Sequence, residues 1–137
     1  IWKNMIDNNI EKLLIMEDDC VFKENFVEKF NKIMDLIKDK YYEILYLGYS
    51  GTYVIFDKEL HLLDYGCPRT THCYILTLDG AKKLVDKLSR INFPIDELMG
   101  GMFNKKELIG YRTSELLVWQ PWQYDRSLSH RKKYFNI

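Results

Sequence analysis

The sequence contains no apolar stretch approaching the roughly 18 or more residues of a membrane-spanning helix, so no membrane span is expected. It also shows no basic leader with an apolar core and a small-residue cleavage site. Neither sign of charge is in excess. Lys plus Arg and Asp plus Glu number 20 each, which removes the bulk basic field that nucleic-acid binding uses and the acidic surplus of a disordered tail. No nucleic-acid partner is expected, and partners must be sought in local sites. Cysteine is scarce: Cys20, Cys67 and Cys73 are odd in number and lack CxxC spacing, so neither a full disulfide framework nor a zinc site is expected. Free thiols are the simpler reading, and a Cys67–Cys73 link is the alternative in an oxidising compartment. Internal repeats, low-complexity tracts and interdomain linkers are absent as well, and nothing in the residues names a compartment or an oligomeric state.

What is present is enough for one core. With 137 residues, 47% of them hydrophobic and 15% aromatic, the chain is read as a single domain over residues 1–137. Trp2, Met5, Ile6 and Ile10 recur at helical spacing, and the chain reads there as the later part of a helix. Lys12–Met16 is a short apolar run of the kind buried on both faces in parallel sheets. Asn25–Ile37 carries Phe26, Val27, Phe30, Ile33, Met34 and Ile37 at helical spacing. Glu43–Leu47 is a second buried strand, halted at Gly48, and strand–helix–strand suggests a right-handed parallel unit.

Tyr53–Phe56 reads as a short strand, and 57–69 as an irregular loop broken by Gly66 and Pro68. Thr71–Leu76 is a further strand, after which Thr77 caps a helix bearing Ala81, Leu84, Val85 and Leu88 on one face. Pro94 opens another helix and puts Asp96 and Glu97 in its first turn. Leu108–Tyr111 and Glu115–Trp119 read as two short strands, and 120–137 as a loosely ordered, basic and aromatic tail. Alternating strands and helices make the fold class α/β.

The chemistry concentrates at Leu13-Leu14-Ile15-Met16-Glu17-Asp18-Asp19, an apolar strand ending in adjacent carboxylates. Anions held side by side repel, so a fold that gathers them at a strand end calls for a cation or cationic partners. In open α/β folds that end is where ligands bind. Turn capping and solvated ion pairs are the plainer account of such a run. A phosphoacceptor receiver domain also begins with a strand ending in acids, but it needs a further Asp at the end of a later strand. Here Leu47 is followed by Gly48-Tyr49-Ser50-Gly51, and no late Lys-Pro pair appears.

A second pattern covers more of the chain. Leu-Ile-Met-Glu-Asp-Asp with Val21-Phe22, then Ile-Leu-Tyr-Leu-Gly, then Thr71–Leu76 with Gly80-Ala81-Lys82-Lys83-Leu84, then Pro94-Ile95-Asp96 resembles glycosyltransferase family 25 from about Ile10 to Ser129. That family includes lipooligosaccharide galactosyltransferases and procollagen galactosyltransferases. The resemblance implies a GT-A-like, Rossmann-like mixed sheet with flanking helices. It also implies that a nucleotide-binding part precedes the acidic motif, of which only Ile1–Lys12 stands here. A fold without those first strands is an incomplete domain with an exposed sheet edge.

The function implied is a metal-dependent hexosyltransferase that moves a sugar, galactose foremost, from a UDP-sugar to a hydroxyl on a glycan or protein. Glu17-Asp18-Asp19 matches the family's DxD-like motif for Mn²⁺ or Mg²⁺ and the nucleotide-sugar donor. Asp19 is the expected direct ligand, and Glu17 and Asp18 are expected to contact metal, ribose or water. Asp96 in the Pro-x-Asp position is the candidate base, with Glu97 its neighbour and alternative; helix capping by either residue is the plainer account and does not exclude the chemical role. His72 and His130 are both candidate ligands, neither preferred, and His72 also reads as a hydrogen-bonded structural residue. Tyr46, Tyr74 and Trp119 read as core or sheet aromatics. Gln120, Gln123 and Ser127 fall in a stretch similar to the family's late Gln-to-Ser segment, to which no role is assigned. The alternatives are a glycosyltransferase-like binding module without turnover and, more remotely, the receiver domain.

Overall fold

A strand whose consecutive side chains are all apolar can be buried on two faces at once, and Ile44-Leu45-Tyr46-Leu47 does so inside a five-stranded mixed sheet. The computed structural model describes residues 1–50, 58–63, 68–88 and 94–121. Within them the order is α1 (Trp2–Asp7), β1 (Lys12–Met16), β2 (Val21–Phe22), α2 (Phe26–Ile37), β3 (Ile44–Ser50) and β4 (Leu60–Leu62). There follow β5 (Arg69–Thr77), α3 (Leu78–Leu88), α4 (Ile95–Asn104), β6 (Gly110–Thr113) and β7 (Val118–Trp119). The main sheet runs β1-β5-β3-β6-β4, and β2 and β7 form a separate two-stranded ladder. No described helix is long and apolar enough to cross a membrane.

Alternation along the central strands sorts their side chains into two layers. Ile44, Tyr46, Tyr74 and Leu76 face one way and pack with Trp2 and Met5 of α1, Ala81 and Leu84 of α3, and Met99, Met102 and Phe103 of α4. Leu45, Leu47, Cys73 and Ile75 face the other way, against Ile33 and Ile37 of α2 with Leu117 and Val118. The helices therefore flank the sheet on both sides, the Rossmann-like arrangement expected of a GT-A fragment. Tyr46 and Tyr74 are core residues as read from the sequence, and Trp119 is half-buried. Thr77 does cap α3: its Oγ1 accepts the Gly80 N–H at 3.2 Å. Pro94 stands one place outside α4, at its N-cap, with Asp96 and Glu97 in the first turn.

Several expectations need correction. β1 is not buried on both faces; it is an edge strand, and only its Leu13 and Ile15 side joins a core layer. Leu14 and Met16 point to the side that α2 covers further along the sheet, and they stay 37% and 43% exposed. β1 and β3 are parallel but not neighbours, because β5 lies between them and runs antiparallel to both. The parallel neighbours are β3 and β6.

Within the stretch read as irregular, Leu60–Leu62 forms β4, held by β6 rather than by local propensity. The first late strand is displaced toward the C-terminus, to Gly110–Thr113, the second is cut down to Val118–Trp119, and α1 ends at Asp7. Tyr53–Phe56 and 122–137 lie outside the described residues. Gln120, assigned to the loose tail, is buried. Cys73 and Cys20 are free thiols, the first buried and the second half-buried; Cys67 lies outside the described residues.

Candidate functional site

The acid run is the turn that carries the chain from β1 to β2. Glu17 still belongs to the β1–β5 ladder through its N–H, which donates to the His72 carbonyl at 2.9 Å. The chain then turns, and the Cys20 N–H reaches back to the Glu17 carbonyl at 3.4 Å. Cys20 Sγ also donates to the His72 carbonyl, at 2.9 Å. Glu17, Asp18 and Asp19 are all exposed. Among the described residues no lysine, arginine or histidine forms an ion pair with them. Their field reaches the neighbouring thiol: burial first, and then the Asp19, Glu17 and Asp18 charges, push Cys20 above its ordinary value, against a backbone hydrogen bond with Glu17 that lowers it.

Two of the three carboxylates converge. Gln120 Nε2 donates to Glu17 Oε2 at 2.7 Å and to Asp19 Oδ1 at 2.7 Å. Asp18, expected beside them, has no such contact among the described residues. The point on which these two oxygens converge is held by the amide nitrogen; the paired carboxylates beside it are hard donors of the kind Mg²⁺ or Mn²⁺ takes, one or two to a cation whose shell is completed by substrate phosphates and water. A self-sufficient protein cage is another matter. Among the described residues no three His, Cys, Asp or Glu side chains are grouped to hold a metal.

Asp96 belongs to the same end of the sheet. Because β5 runs antiparallel to β1, its first residues lie beside the acid run, with Met16 opposite Cys73. The Thr70 N–H donates to Asp96 Oδ2 at 3.2 Å, and Asp96 Oδ1 accepts the Glu97 N–H at 2.9 Å. Asp96 is half-buried and Glu97 exposed. Thr70 has φ 68, a left-handed backbone that β-branched residues avoid at a cost of about 1–3 kcal/mol. Its hydroxyl helps to hold it there, accepting the Ser50 N–H at 3.1 Å and lying 2.9 Å from His72 Nδ1.

His72 is fully buried, and the structural reading of its Nδ1 holds, whereas Nε2 has no hydrogen-bond partner among the described residues. Burial lowers its pKa, opposed in part by the Val118 carbonyl and the Asp19 charge. A neutral ring is thus kept next to an acidic turn. Burial pushes the adjacent Cys73 thiol up to about 12, which leaves it protonated and inert as a thiolate ligand. His130 lies outside the described residues, as do Gln123 and Ser127. Sequence reasoning missed Gln120 and Thr70 as site residues. Gln120 was singled out only by family resemblance, and nothing local in the sequence brings it to residues about a hundred positions away.

A sequence model described as "Glycosyltransferase family 25 (LPS biosynthesis protein)" matches residues 1–99. Procollagen galactosyltransferase 2 of Homo sapiens is 31% identical over 121 residues, covering 82% of this chain and 19% of that protein. Procollagen galactosyltransferase 1 of Danio rerio is 25% identical over 120 residues, 81% and 20% of the two chains. The Mus musculus protein named inactive glycosyltransferase 25 family member 3 is 29% identical over 113 residues, 77% and 19%. The chain spans about a fifth of the length of these curated relatives. An acid-tipped strand, a Rossmann-like mixed sheet and these similarities lead to one assignment: the chain belongs to glycosyltransferase family 25.

Proposed function

We propose that this chain carries the cation- and diphosphate-binding side of a glycosyltransferase that moves a hexose, galactose foremost, from a UDP-sugar to a hydroxyl on a glycan or protein. The observation that carries the reading is the pairing of the Glu17 and Asp19 carboxylates on one amide nitrogen at the end of β1. Asp19 and Glu17 are the ligands in this reading, and Asp18 faces ribose or water. A hard divalent cation bound there supplies neutralisation of the charge that develops on the departing nucleotide diphosphate.

The protein's own part in an inverting transfer is proton management and orientation. Asp96 takes the proton of the acceptor hydroxyl as its oxygen forms the new bond to the anomeric carbon and the bond to the diphosphate oxygen breaks. Glu97, exposed one residue on, is the alternative base. Thr70 holds the Asp96 carboxylate through its N–H, so the base is oriented before the acceptor arrives.

The test is UDP binding by titration calorimetry with and without Mn²⁺. Binding that requires Mn²⁺ and disappears in Asp19→Ala supports the reading. Binding that is absent, or indifferent to both the metal and the substitution, ends it. A second reading, a binding module without turnover, draws support from the similarity to proteins named inactive. It predicts metal-dependent UDP binding with no sugar transfer to any hydroxyl acceptor.

A further inference from the structure

The Gln120 side chain is unusual in its surroundings. It is 4% exposed, yet its amide nitrogen serves two carboxylates that are themselves exposed. Each hydrogen of the NH₂ group goes to a different acid, so the spacing of Glu17 and Asp19 is set by one rigid planar group. That group is anchored by backbone on two sides. β7, which ends one residue before Gln120, pairs with β2, the strand that leaves the acid run, in the register Val21↔Trp119 and Phe22↔Val118. Just ahead of it the Leu117 N–H donates to the Leu47 carbonyl at 2.9 Å, and the Leu117 carbonyl accepts the Lys23 N–H at 3.0 Å.

The chemistry of the donor matters as much as its place. A lysine in this position could also bridge two carboxylates, but its charge would cancel one of theirs. An amide donates the same two hydrogen bonds and carries no net charge, so the negative potential of the turn stays available to a cation. Two carboxylates left unbridged would instead swing apart by mutual repulsion, and an arriving cation would have to order both.

We propose that Gln120 is a positioning residue of the cation site, a neutral spacer that holds the Glu17 and Asp19 carboxylates side by side, through Oε2 and Oδ1, before a hard divalent cation arrives. The inference rests on the metal- and diphosphate-binding reading above and adds a residue to it. Groups that orient metal ligands without touching the metal typically account for 10–100-fold in affinity, and Gln120 falls in that class.

The experiment is a Mn²⁺ titration of the full chain followed by the electron paramagnetic resonance signal of free Mn²⁺, without nucleotide or sugar, paired with melting curves in chelator. Gln120→Leu, which removes both donors, should weaken Mn²⁺ about 10–100-fold while the chelated protein melts as the parent does. Gln120→Lys, which keeps the donors and adds charge, should weaken Mn²⁺ at least tenfold as well. If the parent binds Mn²⁺ and Gln120→Leu binds it equally well, the positioning role is overturned and the metal site stands. Should Gln120→Leu fail to fold, parent-like Mn²⁺ affinity in Gln120→Lys overturns the neutral-spacer role by itself. Absence of Mn²⁺ binding by the parent overturns both the role and the reading on which it rests.

Discussion

The Thr70 hydroxyl lies 2.9 Å from His72 Nδ1, and through this contact the residue that orients Asp96 is joined to the residue that supports the acid run. Thr70 binds the Asp96 carboxylate through its N–H, and the His72 carbonyl receives the Glu17 N–H. The two halves of the candidate site thus share three consecutive residues of β5. A substitution at either side chain should be felt at both.

His72 predicts a pH dependence of stability. Its folded-state pKa is lowered, chiefly by burial, whereas in the unfolded chain the ring titrates near ~6.5. Above that value both states are neutral and stability is full. As pH falls, the unfolded chain takes up a proton that the folded ring resists, and stability declines until the lower folded pKa is reached. Urea denaturation between pH ~7.5 and ~5 should show this decline in the parent and a shallower one in His72→Gln. Parallel profiles for the two proteins would refute it.

Asp96→Asn separates chemistry from fold. The amide oxygen can still accept the Thr70 N–H, and the Glu97 N–H that loses its carboxylate acceptor is at an exposed contact open to water, so melting should change little. On the proposed role of Asp96 as base, the substitution should lower kcat for sugar transfer by about 10²–10⁴ with the KM for donor unchanged. A matching loss in Glu97→Gln rather than in Asp96→Asn would move the role to the neighbour.

Glu43 makes a prediction about the core. Its side chain is 0% exposed and its carboxylate meets Lys83 Nζ at 2.6 Å, with Oε2 accepting the Ile109 N–H at 2.8 Å. Lys83→Ala leaves a buried carboxylate without its counter-ion. Discounted for the 44% exposure of the lysine side chain, the cost is about 2 kcal/mol. Glu43→Gln keeps an acceptor for Ile109 and should cost about 1 kcal/mol. The order is the test in chemical denaturation: a glutamine variant less stable than the alanine variant contradicts it.

Gly48 is a close-approach position. A Cβ there would lie 2.6 Å from His72 Nε2 and 2.7 Å from the Val118 carbonyl oxygen. Neither an imidazole ring locked by Thr70 nor a backbone carbonyl of β7 yields cheaply. Gly48→Ala should therefore destabilise by about 1–3 kcal/mol, and a melting temperature equal to or above the parent's would contradict the packing described.

How much of this was legible in the sequence depended on whether the signal was local. Phe26 to Ile37 declares its helix through one apolar face, and Thr77 declares its cap, since both effects act within a few residues. The burial of β1 escapes the sequence because an apolar run says nothing about which layers cover its faces; one side packs into a core layer through Leu13 and Ile15, and α2 covers the other side only further along the sheet. β4 was unreadable for the same reason, since Leu60–Leu62 is a strand by virtue of β6. The acids at the end of β1 could be read, but the amide that spaces them could not, because Gln120 reaches them through the β2–β7 ladder.

That ladder has a consequence for the order of folding. Gln120 is separated from Glu17 and Asp19 by 103 and 101 positions, among the most non-local contacts in the structure, and contacts of that kind carry the largest loop-closure cost. A nascent chain that has emerged only through β6 holds all three acids but not the group that sets their distance. The carboxylate geometry therefore waits on the docking of β7, and the cation affinity proposed above would report that docking rather than the acidic motif alone.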